Sequence, residues 1–119
     1  METVKLPEFK LGKIVLTTTA DFAIGEIVKK RFQQMSANEI FFENMRIISV
    51  NELLGMHRRL EQGLLPDDDY QANLDAVKNE DDSDSRLRVF SSYEYHGTTF
   101  WVITEHDRSY TTILLPEDY

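Results

Sequence analysis

The last third of the chain constrains the fold most. Residues 87–95, 98–104 and 110–115 are three runs rich in β-branched and aromatic side chains, the composition of strands. Only His96-Gly97 separates the first two. A two-residue loop closes a hairpin, with glycine supplying one positive φ and histidine tolerating the other better than most residues. The loop length also fixes register, placing Tyr93 opposite Phe100 and Val89 opposite Thr104. If the turn within Glu105-His106-Asp107-Arg108-Ser109 holds an even number of residues, Val102 faces Ile113 and Trp101 faces Leu114.

This register sorts the side chains onto two faces. Val89, Tyr93, Phe100, Val102, Ile113 and Leu115 share one, the core face on which helices should pack. Phe90, Trp101, Ile103 and Leu114 share the other, among Arg88, Ser92, Glu94, Thr99 and Thr112. That second face is half apolar and needs cover from the N-terminal segment, a helix or a second subunit. Trp101 is its strongest candidate contact, since tryptophan is enriched where one protein surface buries against another. A homodimer through Trp101, Phe90, Ile103 and Leu114 is one expectation, and cover by the protein's own N-terminal arm is the other. Ile113-Leu114-Leu115 lies close to the last residue of the sequence, so it should be ordered only by docking into the sheet, with pairing ending at Pro116 and Tyr119 folding back.

The preceding residues read as one strand and several helices. Residues 13–18 have strand composition, and residues 1–9 read as an arm. Thr18 or Thr19 can cap a helix carrying Ile24, Ile27, Val28, Phe32 and Met35 at helical spacing. Ser36 with Glu39, and Ser49 with Glu52, each have capping-box form. The first box would open a short helix through Met45, and Arg46-Ile47-Ile48 would be its end or a strand. The second would open a helix carrying Leu53, Leu54, Met56, His57 and Leu60, stopped by Gly63. Pro66 and Asp67 open a last helix with Tyr70, Leu74 and Val77 on one face. The expected fold is therefore α+β in a single domain over 1–119. It has a C-terminal antiparallel meander, an N-terminal strand and three to four helices on one face.

Charge narrows the function. The chain carries 21 acids and 13 bases, a formal net charge of -8. The excess sits in one stretch, where Glu61, Asp67, Asp68, Asp69, Asp75, Glu80, Asp81, Asp82 and Asp84 face only Lys78. A surface formed by Asp67, Asp68, Asp69, Glu80, Asp81, Asp82 and Asp84 would repel nucleic-acid phosphates and anionic lipid, so neither is an expected partner. The same stretch could imitate a phosphate backbone. With no cysteine, disulfide scaffolds, Cys-ligated zinc and thiol nucleophiles are excluded. No apolar run reaches the roughly 18 residues of a membrane span, and the N-terminus lacks a signal-peptide core. The expected location is cytoplasmic.

Chemistry-bearing motifs are few. Neighbouring residues in one turn, His106-Asp107-Arg108-Ser109, cannot form a Ser-His-Asp relay, which needs partners aimed from separate elements. The structural alternative has Asp107 accepting backbone N–H groups and Arg108 pairing with a carboxylate. Asp81-Asp82-Ser83-Asp84-Ser85 is no EF-hand loop, because Arg86 and Ser92 stand where glycine and glutamate are needed. The histidines His57, His96 and His106 show no metal-ligand spacing, and His57 inside a helix reads as a hydrogen-bonded core residue. No glycine-rich phosphate loop is present. Neither a metal nor a cofactor is expected.

The ending Trp101-Val102-Ile103-Thr104-Glu105-His106-Asp107-Arg108-Ser109, continuing through Thr111-Thr112-Ile113-Leu114-Leu115-Pro116-Glu117-Asp118-Tyr119, resembles that of small uncharacterised bacterial proteins labelled plasmid-related. Theirs runs W-I-I-T-E-A-D-R-S-x-T-T-x-L-L-P-x-D/E-Y. Leu11-Gly12-Lys13-Ile14-Val15 is similar to their L-G-x-I-V opening. Leu53-Leu54-Gly55-Met56-His57 follows their L-L-x-R-H with Met56 in place of arginine. Asn73 and Ala76 fit N-x-x-A, and Arg88 to Tyr93 fit R-x-L-S-x-Y. Their G-D-W-G turn is represented only by Gly63-Leu64-Leu65-Pro66, and about twenty residues around 25–50 stand as an insertion. The resemblance implies residence among bacterial mobile or accessory genes and brings no activity with it.

Three function classes follow. The leading one is a non-enzymatic interaction or regulatory protein of a mobile element, with a protein partner and a homodimer as its assemblies. The second is a DNA-mimic inhibitor of a restriction, defence or other DNA-binding protein, acting through 61–84. The third is a small nuclease-like enzyme, which would need His106, Arg108 and a carboxylate to converge on one concave site.

Overall fold

Strand β1 (Lys13–Leu16) leads through helix α1 (Thr18–Arg31), helix α2 (Glu39–Arg58) and helix α3 (Asp67–Lys78) to three consecutive strands. These are β2 (Val89–Tyr95), β3 (Thr98–Thr104) and β4 (Tyr110–Leu114), followed by a 3-10 turn at Pro116–Asp118. The computed structural model describes residues 9–35, 38–78, 80–82 and 86–119. The fold is α+β, and the described residues form one mixed sheet with three helices. Strand order is β1-β4-β3-β2, and β1 runs parallel to β4.

The meander has the register that the hairpin length dictates. Tyr93 lies opposite Phe100, Val89 opposite Thr104, Val102 opposite Ile113 and Trp101 opposite Leu114. His96 and Gly97 both take positive φ, 48° and 85°, as the tight loop requires. Tyr93, Phe100, Val102, Ile113 and Leu115 form one core with Ala20, Ile24 and Ile27 of α1 and Leu53 and Leu54 of α2. Val89 joins Phe9, Leu60 and Val77 in a second cluster. Although β4 comes near the end of the sequence, it is an interior strand between β1 and β3. Its backbone groups are paired on both sides, which is why it stays ordered.

The outer edge of β2 is closed by side-chain and loop contacts. Asn73 on α3 donates through Nδ2 to the Phe90 carbonyl at 2.6 Å and accepts from the Phe90 N–H at 3.0 Å. The Leu64 N–H donates to the Ser92 carbonyl at 2.8 Å. Gly63, at φ +56°, makes this approach possible, because a Cβ there would lie 2.4 Å from the Ser92 carbonyl oxygen. These contacts block the edge at Phe90 and Ser92 as a template for another strand.

Several helical expectations are corrected. Thr17, not Thr18 or Thr19, caps α1, accepting from the Ala20 N–H. The expected Ser36 cap lies outside the described residues, and Asn38 caps α2 by accepting from the Phe41 N–H at 2.9 Å. The two helices expected over 36–60 are one. Arg46-Ile47-Ile48 are helical, and the second capping box is helix interior. There Ser49 donates to the Met45 carbonyl one turn back, and Glu52 accepts from the Tyr95 hydroxyl. Gly63 does not stop α2. Leu60 does, at φ 55°, with the Leu60 N–H on the His57 carbonyl and the Glu61 N–H on the Met56 carbonyl. This is a Schellman ending built on leucine instead of glycine. Burial of the Leu60 side chain in the second cluster compensates for the backbone strain. The expected 1–9 arm lies outside the described residues except at its last position, where Phe9 is buried in that cluster.

Candidate functional site

Helix α2, the core face of the sheet and the segment before β1 meet at His57. Its ring is fully buried, with Nδ1 2.7 Å from Ser91 Oγ and Nε2 2.8 Å from Thr104 Oγ1. Thr104 Oγ1 is 2.7 Å from Thr111 Oγ1, and Thr111 donates to the Leu11 carbonyl at 2.6 Å. A hydroxyl has one proton, so the chain has one direction. Thr111 spends its proton on Leu11, so Thr104 donates to Thr111 and His57 Nε2–H donates to Thr104. Nδ1 is then the acceptor for Ser91. This holds the ring neutral in a single tautomer. Burial, and secondarily the Arg108 charge, lower its pKa to about 3. Phe9 packs edge-on against the ring at 5.4 Å.

Arg108 lies next to this network. It occupies the left-handed region at φ 60°, and its side chain is 2% exposed. Nε and Nη2 reach the Glu80 carboxylate at 2.8 to 3.1 Å, and Nη1 donates to the Leu87 and Glu105 carbonyls. Such a paired, hydrogen-bonded guanidinium is how a buried charge is tolerated. At the tip, Asp107 Oδ1 accepts from the Ser109 N–H at 3.0 Å and from its hydroxyl at 2.6 Å. These contacts, with the Ser109 hydroxyl first, hold the Asp107 carboxyl below its ordinary pKa. Gly12, at φ +65°, passes so close that a Cβ would lie 2.4 Å from the Ser109 carbonyl oxygen. The turn 105–109 is thus fastened to Glu80 and the Leu87 carbonyl by Arg108 and to β1 by the Lys13 N–H, which donates to the Ser109 carbonyl beside Gly12.

His106 and Arg108 do not converge. His106 is on the exposed side of the turn and Arg108 points inward to Glu80. The acidic residues also divide. Asp67, Asp68 and Asp69 form the exposed first turn of α3, where the helix dipole favours them. Asp81 and Asp82 are exposed, and Asp84 lies outside the described residues. Glu80, expected on the acidic surface, is instead drawn in to Arg108, its side chain 19% exposed. On the second sheet face Ile103 and Leu114 are buried, and Phe90 and Trp101 half-buried. Tyr119 stacks edge-on against Trp101 at 5.7 Å and receives a hydrogen bond from Arg88. Asp118 fixes that turn by accepting from the Thr19 and Thr17 hydroxyls and the Leu115 N–H, which lower its pKa.

Sequence reasoning missed Ser91, Thr104 and Thr111. The signal was available in the register. Ser91 sits between Val89 and Tyr93 on the core face, and Thr104 pairs with Thr111 beside Val102 and Ile113. Inward polar residues gathered at one place on a core face imply a shared partner, and His57 is the partner.

A cleft of about 870 Å³ opens beside this region, lined by Phe9, Lys10, Arg58, Asp81, Arg86 and Arg108 among others. A second, of about 730 Å³, lies between α2 and the β2–β3 turn. In it Arg59 pairs with Glu61 at 2.7 Å and Glu52 accepts from the Tyr95 hydroxyl. Among the described residues no group of His, Asp or Glu is arranged to hold a metal, and no helix is long and apolar enough to cross a membrane. No protein-family model, curated protein or solved structure matches the chain.

Proposed function

We propose that the protein is a non-enzymatic interaction protein that docks through its α1–α2 hairpin, and that its partner there is a second copy of the chain. The carrying observation is the outer face of α2. Ile40 and Ile47, seven residues apart on one face, are 71% and 51% exposed, and Ile48 beside them is also exposed. The hairpin is self-complementary in charge. Lys30 and Arg31 end α1 and Glu39 opens α2, while Lys29 and Glu43 pair within their own helices with Glu26 and Arg46. A two-fold contact would set the basic end of one copy against the acidic start of the other around the isoleucines. By contrast, Arg108, His57, Asp107 and Ser109 are all occupied in holding the fold. The α1–α2 region also coincides with the stretch that stands as an insertion relative to the plasmid-related proteins. The C-terminal resemblance to those proteins supports a role in a mobile element.

Light scattering tests this reading. The native chain should be dimeric at micromolar concentration, and Ile40→Ser with Ile47→Ser should make it monomeric with an unchanged circular dichroism spectrum. A native monomer, or a dimer that survives both substitutions, would overturn it.

A further inference from the structure

The 870 Å³ cleft carries an inference separate from the hairpin. Its walls come from the segment before β1 (Phe9 to Gly12), the end of α2 (Arg58), residues 80–81, Arg86 and Arg108. Arg108 and Glu80 neutralise each other. Among the described lining residues, Lys10, Arg58 and Arg86 then stand against Asp81, in a chain whose formal net charge is -8. Among the described residues Lys10 and Arg58 pair with no carboxylate. Arg86 is half-buried, and its Nε is out of reach of water with no hydrogen-bond partner. Buried guanidinium N–H groups are normally satisfied; no described residue supplies an acceptor for this one, and the accessible part of the Arg86 side chain lines the cleft.

We infer that this cleft binds a small phosphorylated ligand, with Arg86 and Arg58 gripping the phosphate and Lys10 adding charge. A guanidinium presents parallel N–H donors that match two phosphate oxygens, whereas a carboxylate such as Asp81 can satisfy only one of several cations. A concave site concentrates the field of such a cluster even where the whole molecule is acidic. The volume is that of a small-molecule site, and Phe9 and Leu11 add apolar wall beside the cations. The acidic exterior, with Asp67, Asp68 and Asp69 on α3, disfavours a polyanion and favours a ligand small enough to enter.

The test is a titration of the intact protein followed by nitrogen-15 NMR of the arginine Nε–H groups. Inorganic phosphate and a nucleoside 5′-monophosphate should each give a saturable shift at Arg86, the monophosphate more tightly. Arg86→Gln and Arg58→Gln should each weaken binding about tenfold or more, while Arg88→Gln, which lies outside the cleft beside Tyr119, should change it less than about twofold. Three results would overturn the inference: no saturable shift at Arg86, the same shift from sodium chloride at equal ionic strength, or tighter binding of a single-stranded oligonucleotide than of the monophosphate. Because no cleft residue belongs to the exposed isoleucine face, a monomeric result in light scattering leaves this titration unaffected.

Discussion

The C-terminal sheet and the outer half of the α1–α2 hairpin both carry many apolar side chains and use them in opposite ways. In the sheet nearly every side chain is committed. Phe100, Val102 and Ile113 are fully buried, and the polar residues among them are joined through His57. In the outer half of the hairpin the aromatic rings of Phe32, Phe41 and Phe42 pack edge-on against one another, and Met35, Ile40, Ile47 and Ile48 stay exposed. The sheet and the inner faces of α1 and α2 carry the stability, and the outer half of the hairpin keeps apolar surface available. A region whose contacts are saturated tolerates little change, while one with surplus apolar surface can lose some of it at no cost to folding.

Phe100→Ala should break the sheet side of this contrast most severely. It removes a fully buried ring and should destabilise the protein by about 3–5 kcal/mol, measured by urea unfolding. A loss below about 1 kcal/mol would show that the core is far looser than its burial suggests.

Acid should act next, through His57. The unfolded chain binds a proton on this ring below about pH 6.5, and the folded protein does so only near 3. Stability should therefore fall as pH drops through that window, by about 2 kcal/mol between pH 7.5 and pH 5. Carboxylates protonate mostly below that range, so the change reports the histidine. Urea midpoints measured at the two pH values check it, and a stability that is flat or rising toward pH 5 would contradict a buried neutral ring.

Ile47→Ser should have the smallest effect on the folded monomer. With the side chain already half in water, stability should change by no more than about 0.5 kcal/mol. A loss of 2 kcal/mol or more in a dilute, monomeric sample would place Ile47 in a core and remove the distinction between the two regions.

Legibility in the sequence follows the same division. Meander register could be read because two local rules, hairpin loop length and strand alternation, leave one solution. The Arg108 turn could be read in kind, with Asp107 capping it and Arg108 seeking a carboxylate. Glu80 could not be named as that carboxylate, because it lies 28 residues away and looks like part of a solvated acidic run. Helix boundaries depart from the local signal where that signal has a tertiary alternative. Ser49 has the chemistry of a cap, yet its hydroxyl bonds back to Met45 because Val50, Leu53 and Leu54 hold the helix continuous against the sheet. Leu60 does the work expected of Gly63, since burial can impose a left-handed φ that local preference opposes.

By itself the sequence determined the α+β class, the pairing of β2, β3 and β4, the core face and the helix over Asp67–Lys78. Each follows from periodicity or turn chemistry acting over a few residues. Only the tertiary structure decided that β1 lies parallel to β4, that Asn73 closes the sheet edge, and that His57 links Ser91 to Thr104. It also decided that Glu80 leaves the acidic surface for Arg108, and that Arg58 and Arg86 share one cleft. Those outcomes depend on which distant side chains arrive beside a buried polar group, and desolvation makes that choice only when the chain has closed around it.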